Sequence, residues 1–464
     1  MLLGACAVGH RGKYRDGGRS ATRSTAPVRL GSSAVTPARG PAPPWTGTVC
    51  LDVGSTWTKA VLVHPDGALA GFAEHPTTAG DVLAGVDATV RAVTATGHDE
   101  SPEVLACSSA GGGLRLAVVG DERLGATEAG HRVARTTGAH VVFVHAGPME
   151  PSDVRALRDA RPGVVLLVGG ADGADPAPLL HNAGRLARAR VRPPIVLAGN
   201  TAAREDAVAL LKATGRTVVP CDNVLPAVGE IVPGPAREAV ASLYRRHALG
   251  GRGASVAPRF RRMVRIVTAD AVGRGAAELA QVLGGGVLVV DVGCATTDVH
   301  SVGADGEPLR TVEGDLGVRA SAGGVLVEGQ AEGLVDPVEA DLLGPTVARM
   351  AGEVGLVPSS PGSAAEDRRV AALAAVVAVR RHLRAAGRRD APGTVVLSGG
   401  VFRRRGPGPG SVVATLCADP ELAPALDGAA VLVDSDFTVA PAGLLAARGR
   451  TDAARALLRD HLLG

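Results

Sequence analysis

The chain carries the stretch LDVGSTWTKAVLV at residues 51–63 and a chemically similar stretch, DVGCATTDVHSV, at residues 291–302. In each, an apolar run leads into a tight turn that holds an Asp, a Gly and a cluster of hydroxyl groups, and a second apolar run follows. Gly lets the backbone approach a phosphate, N–H and hydroxyl groups donate to phosphate oxygens, and a carboxylate holds a hydrated cation. Two such hairpins predict a site that holds a nucleoside triphosphate between two lobes.

Length and composition exclude several classes of protein. A chain of 464 residues is too long for one core, so we expect two or three lobes. Aromatic residues make up only 2% of the chain, which is too few for a platform that stacks nucleic-acid bases. The net charge of +3 is concentrated near the start, so the rest of the chain has no general basic field. We therefore expect neither nucleic acid nor a membrane as a partner.

The first 47 residues differ in composition from the remainder. They are rich in Arg, Ser, Gly, Ala and Pro, show no sustained hydrophobic period, and are expected to form a disordered basic tail. The six cysteines of the chain are scattered without a C-x-x-C pair, which is typical of a reduced, cytoplasmic protein. No apolar stretch approaches the roughly 18 residues of a membrane span.

Hydrophobic patterning beyond the tail predicts an α/β protein in three parts. Residues 48–120 form a first lobe with the first hairpin, residues 121–260 an inserted α/β lobe with a connecting helix, and residues 261–464 a second lobe. Within the insert, short apolar runs alternate with segments of helix length, as in parallel βα units. These runs are Val141–His145, Val164–Gly169, Ile195–Ala198 and Thr217–Val219.

Several common catalytic motifs are absent from the sequence. There is no G-x-x-x-x-G-K-[ST] loop, no G-x-S-x-G elbow, no H-E-x-x-H pair and no kinase H-R-D set. A third turn, Gly399-Gly400, follows the apolar run Val395–Leu397. One Asp-Gly turn alone is weak evidence, because both residues are common in turns. Two matching hairpins followed by a Gly-Gly turn are much stronger evidence of a phosphate site.

This set of turns resembles the actin, Hsp70 and sugar-kinase (ASKHA) superfamily of ATPases. The resemblance implies two ribonuclease H-like lobes that clamp ATP and Mg²⁺. It places on the first phosphate loop Asp52, Gly54, Ser55, Thr56 and Lys59. It places on the second phosphate loop Asp291, Gly293, Thr296, Thr297 and Asp298, and on the adenosine loop Gly399 and Gly400. By resemblance, Asp52 and Asp291 hold Mg²⁺ through water and orient the attacking nucleophile, while Lys59 offsets developing charge.

Within that superfamily the chain resembles the glutamate mutase accessory protein family, of the MutL or GlmL type, from about residue 48 onward. The resemblance rests on LDVGSTWTKAVLV and DVGCATTDVHSV and on LVGGADGAD, VLAGN, PCDNVLPAVGEI, EGDLGVRASA and LSGGVF. It implies an ATPase that serves as chaperone or reactivating factor for an adenosylcobalamin-dependent carbon-skeleton mutase. The implied partners are the mutase subunits, and a homo-oligomer is left open.

Some residues and roles have competing interpretations. Asp315 lies between two glycines after a strand, where it is either a third catalytic carboxylate or a turn-forming residue. Asp172 and Asp175 in the insert either bind a partner or cation or are solvated turn acids. Arg403, with Arg404 and Arg405, is interpreted as a solvated loop charge. Two other functions also stay open: a small-molecule kinase or ATP-dependent hydantoinase or oxoprolinase, and a scaffold that does not hydrolyse its nucleotide.

Overall fold

The computed structural model describes residues 47–464 with internal gaps, and the predicted basic tail lies outside it. The gaps are residues 79–80, 96–101, 110–113, 121–127, 129–132, 134–138, 190, 228, 250–257, 304–305, 307, 387–390 and 404–409. Among the helices described, none combines the length and the apolar character needed to span a membrane.

The first sheet begins with an antiparallel meander. Its strands are β1 (Thr48–Val53), β2 (Trp57–Val63) and β3 (Leu69–Pro76). After α1 (Val82–Thr94), strand β4 (Glu103–Ser108) pairs in parallel with β1. The predicted hairpin is confirmed, because the apolar runs on both sides of the turn at residues 54–56 pair with each other.

The inserted lobe is a doubly wound parallel sheet of five strands in the order β6-β5-β7-β8-β9. The strands are β5 (Leu114–Gly120), β6 (Ala139–Ala146), β7 (Val164–Leu167), β8 (Ile195–Leu197) and β9 (Val218–Pro220). The helices include α2 (Pro151–Asp159), α3 (Ala177–Arg188) and α4 (Arg204–Ala213) on one face and α5 (Gly234–Leu249) on the other. The prediction of parallel βα units is therefore confirmed.

Two strands lie in a different sheet from the one that the predicted boundaries gave them. β5 was assigned to the first lobe, but it pairs with β6 and β7 of the insert, where its apolar side chains are covered on both faces. After α6 (Pro258–Met263), strand β10 (Val264–Val267) was assigned to the second lobe, but it pairs with β4 in the first sheet. Partner strands are selected by contacts distant in sequence, which a boundary drawn from composition does not detect.

The second sheet repeats the first. Helix α7 (Thr268–Leu283) leads to β11 (Val287–Val292), β12 (Thr297–Val302), β13 (Pro308–Glu313), β14 (Thr394–Ser398) and β15 (Ala430–Val433). The sheet's strand order is β13-β12-β11-β14-β15, and the first sheet has the equivalent order β3-β2-β1-β4-β10. Neighbouring strands also pair in the same directions in the two sheets. The prediction of two ribonuclease H-like lobes with an inserted parallel lobe is confirmed.

The helices of the second lobe cover the outer face of its sheet. They are α8 (Ala322–Ala331), α9 (Pro337–Gly352), α10 (Pro361–Ala386), α11 (Gly400–Arg403), α12 (Gly410–Ala418) and α13 (Ala423–Leu426). The centre of α10 is buried on nearly every side, which explains why its apolar residues show no clear one-sided stripe.

A shared layer of three helices lies between the two sheets. It consists of α7, α14 (Val439–Ala447) and α15 (Thr451–Leu458), whose apolar residues form one core with side chains from both sheets. A Cβ built on Gly443 of α14 would lie 1.8 Å from the carbonyl oxygen of Ala271, and one built on Gly275 of α7 would lie 2.0 Å from that of Val439. The backbones of α7 and α14 therefore touch, and only Gly allows this approach.

Candidate functional site

The alternation of side chains along a strand brings the two predicted aspartates toward one space. In β1, Cys50 faces the shared layer, so Asp52, two residues later, lies on the same face. In β11, Val289 faces the shared layer, and Asp291 follows it by the same spacing. Both carboxylates therefore lie on the inner faces of the two sheets, at the carboxyl ends of equivalent strands.

The two turns have the same backbone geometry. The N–H of Gly54 donates to the carbonyl of Trp57 at 3.0 Å, and the N–H of Gly293 donates to that of Thr296 at 2.9 Å. A Cβ at Gly54 would lie 2.5 Å from the Trp57 oxygen, and one at Gly293 would lie 2.9 Å from the Thr296 oxygen. Gly is therefore required in both turns for steric reasons, whatever they bind.

Asp52 is buried and has partners from three elements. Its Oδ2 lies 3.0 Å from Nζ of Lys59, and its Oδ1 accepts a hydrogen bond of 2.6 Å from the hydroxyl of Thr268 at the start of α7. Cys107 Sγ donates to the same Oδ1 at 3.6 Å. Burial raises the pKa of the Cys107 thiol well above its ordinary value, which keeps it protonated as a donor.

Charges from both lobes act on Asp291. Burial raises the pKa of its carboxyl group; the positive charges of Lys59 and Arg403 lower it, and the negative charges of Asp52 and Asp434 raise it. Two of these four groups, Lys59 and Asp52, belong to the first lobe. The structure thus brings Asp52, Lys59 and Asp291 into one electrostatic environment, although they are distant in sequence.

Asp298 occupies in the second hairpin the position that Lys59 occupies in the first. It lies opposite Asp291 in the β11–β12 register, as Lys59 lies opposite Asp52. Its side chain is buried, with 8% exposure, and its Oδ1 has no hydrogen-bond partner among the described residues. Burial, followed by the charge of Asp291, raises its pKa to about 7, while a hydrogen bond from the Thr296 hydroxyl lowers it.

The predicted hydroxyl groups fall into two sets. Ser55 is exposed at the tip of the first turn, with Thr56 half-buried beside it. Thr297 is fully buried, and its hydroxyl donates to the carbonyl of Leu316 at 2.5 Å, inside the protein. Ser55 and Thr56 are therefore placed to meet a ligand, whereas the Thr297 hydroxyl is already engaged.

The Gly399-Gly400 turn lies directly against the second hairpin. Ser398, the last residue of β14, is in register with Asp291. Gly399 has a φ of 128°, and a Cβ on it would lie 2.2 Å from the carbonyl oxygen of Val292. The predicted second phosphate loop and adenosine loop are therefore adjacent at one edge of the sheet.

Asp315 is held in an ion pair. Its Oδ2 lies 3.1 Å from Nη1 of Arg381, and Arg381 also lies 2.7 Å from Oε2 of the buried Glu313. The turn that carries Asp315 packs against the second hairpin, since a Cβ on Gly317 would lie 2.3 Å from the carbonyl carbon of Ala295. The residue thus lies next to the predicted loop and shares Arg381 with two other carboxylates, Glu313 and Glu328.

The acids singled out in the insert fix its loops. Oδ1 of Asp172 accepts from the N–H of Thr201 and from Nδ2 of Asn223, both at 2.9 Å. These hydrogen bonds lower the pKa of Asp172 against the effect of burial, which raises it. Oδ1 of Asp175 accepts from the N–H of Ala177 at 2.9 Å. A partner or cation at these residues stays a prediction.

Four residues near the site were missed or misread from the sequence: Thr268, Arg403, Asp434 and Phe437. Asp434 follows β15 and caps α14, because its Oδ1 accepts from the N–H of Thr438 at 2.6 Å and from the Thr438 hydroxyl at 2.8 Å. An Asp directly after an apolar run was the available signal. The interpretation of Arg403 as a solvated charge is wrong, because its guanidinium lies over the Phe437 ring; Arg404 and Arg405 lie outside the described residues.

Two sheets of identical strand order, with matching hairpins at equivalent strand ends, define a two-lobed protein of the actin and sugar-kinase fold class. Within that class, the family model described as "MutL protein" matches residues 48–462. The chain belongs to the MutL family, and the predicted membership is confirmed.

Comparison with individual proteins gives the following similarities. Protein MutL of Clostridium tetanomorphum is 34% identical over 299 residues, which cover 59% of this chain and 64% of that protein. The match thus spans less than two thirds of the relative's length. An ATP-dependent caprolactamase from Pseudomonas jessenii is 15% identical, with a TM-score of 0.37 and coverage of 89% of this chain and 70% of that one. A xylulose kinase from Lactobacillus acidophilus is 12% identical, with a TM-score of 0.34 and coverage of 90% and 92%.

Proposed function

We propose that this protein binds ATP together with Mg²⁺ between its two lobes. The observation that carries the proposal is the convergence of Asp52 and Asp291, which lie at equivalent strand ends, the charge of Asp52 raising the pKa of Asp291. Each is followed by a Gly turn of the same geometry. A single carboxylate after a strand is common, whereas two related by the duplication of the fold are suited to a ligand held between the lobes.

The residues present fit a magnesium ion. Mg²⁺ prefers oxygen ligands and retains several waters, so it needs only one or two carboxylates in addition to phosphate oxygens. Asp52 and Asp291 would hold it through water, and the unpartnered Oδ1 of Asp298 is a further oxygen donor nearby. In the proposed site, phosphate oxygens of the nucleotide would supply further ligands. A bound Mg²⁺ would supply positive charge that offsets the phosphates.

The turn geometry indicates which backbone groups would bind phosphate. The N–H groups of Gly54 and Gly293 are used within their own turns. The donors proposed for phosphate oxygens are therefore the N–H groups at the turn tips, at Ser55 and Thr56 in the first hairpin and at Cys294 and Ala295 in the second. Turn tips of this kind form anion-binding concavities.

We propose further that ATP drives an accessory role in the cytoplasm. Its partner would be the subunits of an adenosylcobalamin-dependent carbon-skeleton mutase of the glutamate mutase type, which this protein would serve as chaperone or reactivating factor. Membership of the MutL family supports this role. The alternative enzymes, a small-molecule kinase or a hydantoinase-like hydrolase, need a free base near the terminal phosphate. The candidate that the sequence offers for that base is Asp315, which shares Arg381 with Glu313 and Glu328, and no observation favours either enzyme.

The accessory role is tested by the recovery of mutase activity. A mutase of this type is inactivated by turnover and then incubated with free adenosylcobalamin, ATP, Mg²⁺ and this protein. We expect recovery that depends on ATP, is lost with Asp52→Asn, and is unchanged with Asp341→Asn, an exposed residue of α9 with the same chemical change. Recovery without ATP, or equal recovery with Asp52→Asn, would contradict the proposal.

A further inference from the structure

Phe437 lies close to two cations that come from opposite lobes. Its ring centroid is 5.1 Å from Nζ of Lys59, in the first hairpin, and 5.3 Å from Cζ of Arg403, just after the Gly399-Gly400 turn. Both distances are within the range of a cation–π interaction. The Phe437 side chain is buried, with 4% exposure, and its ring also meets that of Phe72 in β3, edge to face at 6.4 Å.

The surroundings of Arg403 are suited to the binding of an anion. Lys59 has a carboxylate partner in Asp52, but no carboxylate of the described residues lies within salt-bridge distance of Arg403. Its positive charge lowers the pKa of Asp291, so the guanidinium is close enough to influence charged groups between the lobes. A half-buried guanidinium, stacked on a ring and without an acidic partner, is well suited to bind phosphate oxygens in a fork.

The backbone at Phe437 is unusual and is held in place. Its φ is 58°, in the left-handed region that bulky side chains avoid. The adjoining turn is fixed by Asp434, whose carboxylate accepts from the N–H groups of Thr438 and Val439 at 2.6 Å and 3.3 Å. The backbone that places the ring within reach of both cations is therefore held by specific hydrogen bonds.

We propose that Lys59 and Arg403 form a two-cation clamp for the terminal phosphate groups of the nucleotide, and that Phe437 is the residue that positions both cations. This inference rests on the proposed binding of ATP. One cation comes from each lobe, so a ligand that engages both would also link the lobes. AMP lacks the terminal phosphates, so the clamp would favour a triphosphate over a monophosphate.

The clamp is tested by titration calorimetry of the full chain with Mg²⁺–ATP and with AMP. Arg403→Gln should weaken ATP binding at least tenfold and leave AMP binding within twofold of the original. Arg403→Lys, which keeps the charge, should recover part of the loss. The control is Arg274→Gln, which removes an exposed charge from α7 and should change neither affinity. An equal loss for ATP and AMP, or no loss for ATP, would overturn the clamp.

The positioning role of Phe437 is tested by a double-mutant cycle. Phe437→Leu should weaken ATP binding but not AMP binding. The double variant with Arg403→Gln should lose less affinity than the two single losses combined, because the contact between Phe437 and Arg403 is lost only once, while Lys59 still loses its ring. Phe437→Tyr keeps the ring and should bind ATP within threefold of the original, so it tests the ring even where Phe437→Leu fails to fold. Additive losses would refute positioning. If the unchanged protein binds no ATP, the proposed function itself fails; if it binds ATP and Arg403→Gln is unaffected, only the clamp fails.

Discussion

Lys59 and Asp298 illustrate how a duplicated design diverges at a single residue. They hold equivalent positions, each opposite an aspartate across an antiparallel hairpin. The first hairpin therefore contains an ion pair, with 3.0 Å between Nζ of Lys59 and Oδ2 of Asp52. The second contains two acids, one of which has an unpartnered buried oxygen. Like charges side by side in a buried site favour a shared proton or a bound cation.

Asp298→Asn should change how stability depends on pH. The pKa of Asp298 is raised to about 7 in the folded protein, so the folded state holds a proton that the unfolded state releases from about pH 4 upward. The original protein should therefore lose stability as pH rises from about 4 to 7, with no further loss from this group above that range. Because each pKa unit corresponds to about 1.4 kcal/mol, the loss is expected to be a few kcal/mol.

This expectation is checked by urea unfolding of both proteins at pH 5 and pH 8 in EDTA. The free energy of unfolding of Asp298→Asn should fall less over this interval than that of the original. Parallel pH dependences for the two proteins would show that Asp298 titrates normally.

Gly54→Ala should distort the first turn. The new Cβ would lie 2.5 Å from the backbone oxygen of Trp57, which can move only if the turn opens. We expect a loss of about 1–3 kcal/mol in the free energy of unfolding, together with weaker ATP binding. Gly323→Ala is the control, because a Cβ at this exposed position of α8 meets nothing within 4 Å, and helix propensity predicts equal or greater stability. Equal effects of the two substitutions on urea unfolding would contradict the steric argument.

At the scale of elements, the patterns that lie within one segment were predictable, and the pairings between segments were not. Both hairpins were recognised because apolar runs flank a short turn with Asp and Gly. The sheet that takes up β5 or β10 depends on distant partners, and β10 is short and contains Arg265. Likewise, the sequence shows that residue 403 is charged but not that it lies over an aromatic ring. It also shows no sign that the backbone of Phe437 is left-handed.

The crossing of α7 and α14 gives a prediction at this scale. Gly443→Ala would place a Cβ 1.8 Å from the oxygen of Ala271, within the helix that begins at the Asp52 partner Thr268. We expect a loss of about 3 kcal/mol or more in the free energy of unfolding, since neither helix backbone can withdraw without opening the shared layer. Gly352→Ala in α9 is the matched control, because a Cβ there meets nothing within 4 Å. Urea unfolding that gives the same stability for both variants would show that the helices can separate at little cost.

Across the whole molecule, the shared layer couples the two lobes through more than the site. The C-terminal segment was predicted as part of the second lobe, but it also packs on the first. Arg450 pairs with Glu103 of β4, and the N–H of Leu69 in β3 donates to Nε2 of His461 at 3.1 Å. A change in the separation of the two sheets must therefore be accommodated by α7, α14 and α15. Through these helices, the binding of a ligand between the lobes could affect the outer surface of the protein.

The central claim is that both lobes contribute to one ATP site, and isothermal titration calorimetry with Mg²⁺–ATP tests it most directly. The account predicts one ATP for each chain, and a loss of at least tenfold in affinity for Asp52→Asn and also for Asp291→Asn, with Asp341→Asn unchanged. Affinity that depends on only one of the two aspartates, or on neither, would contradict a site formed between the lobes.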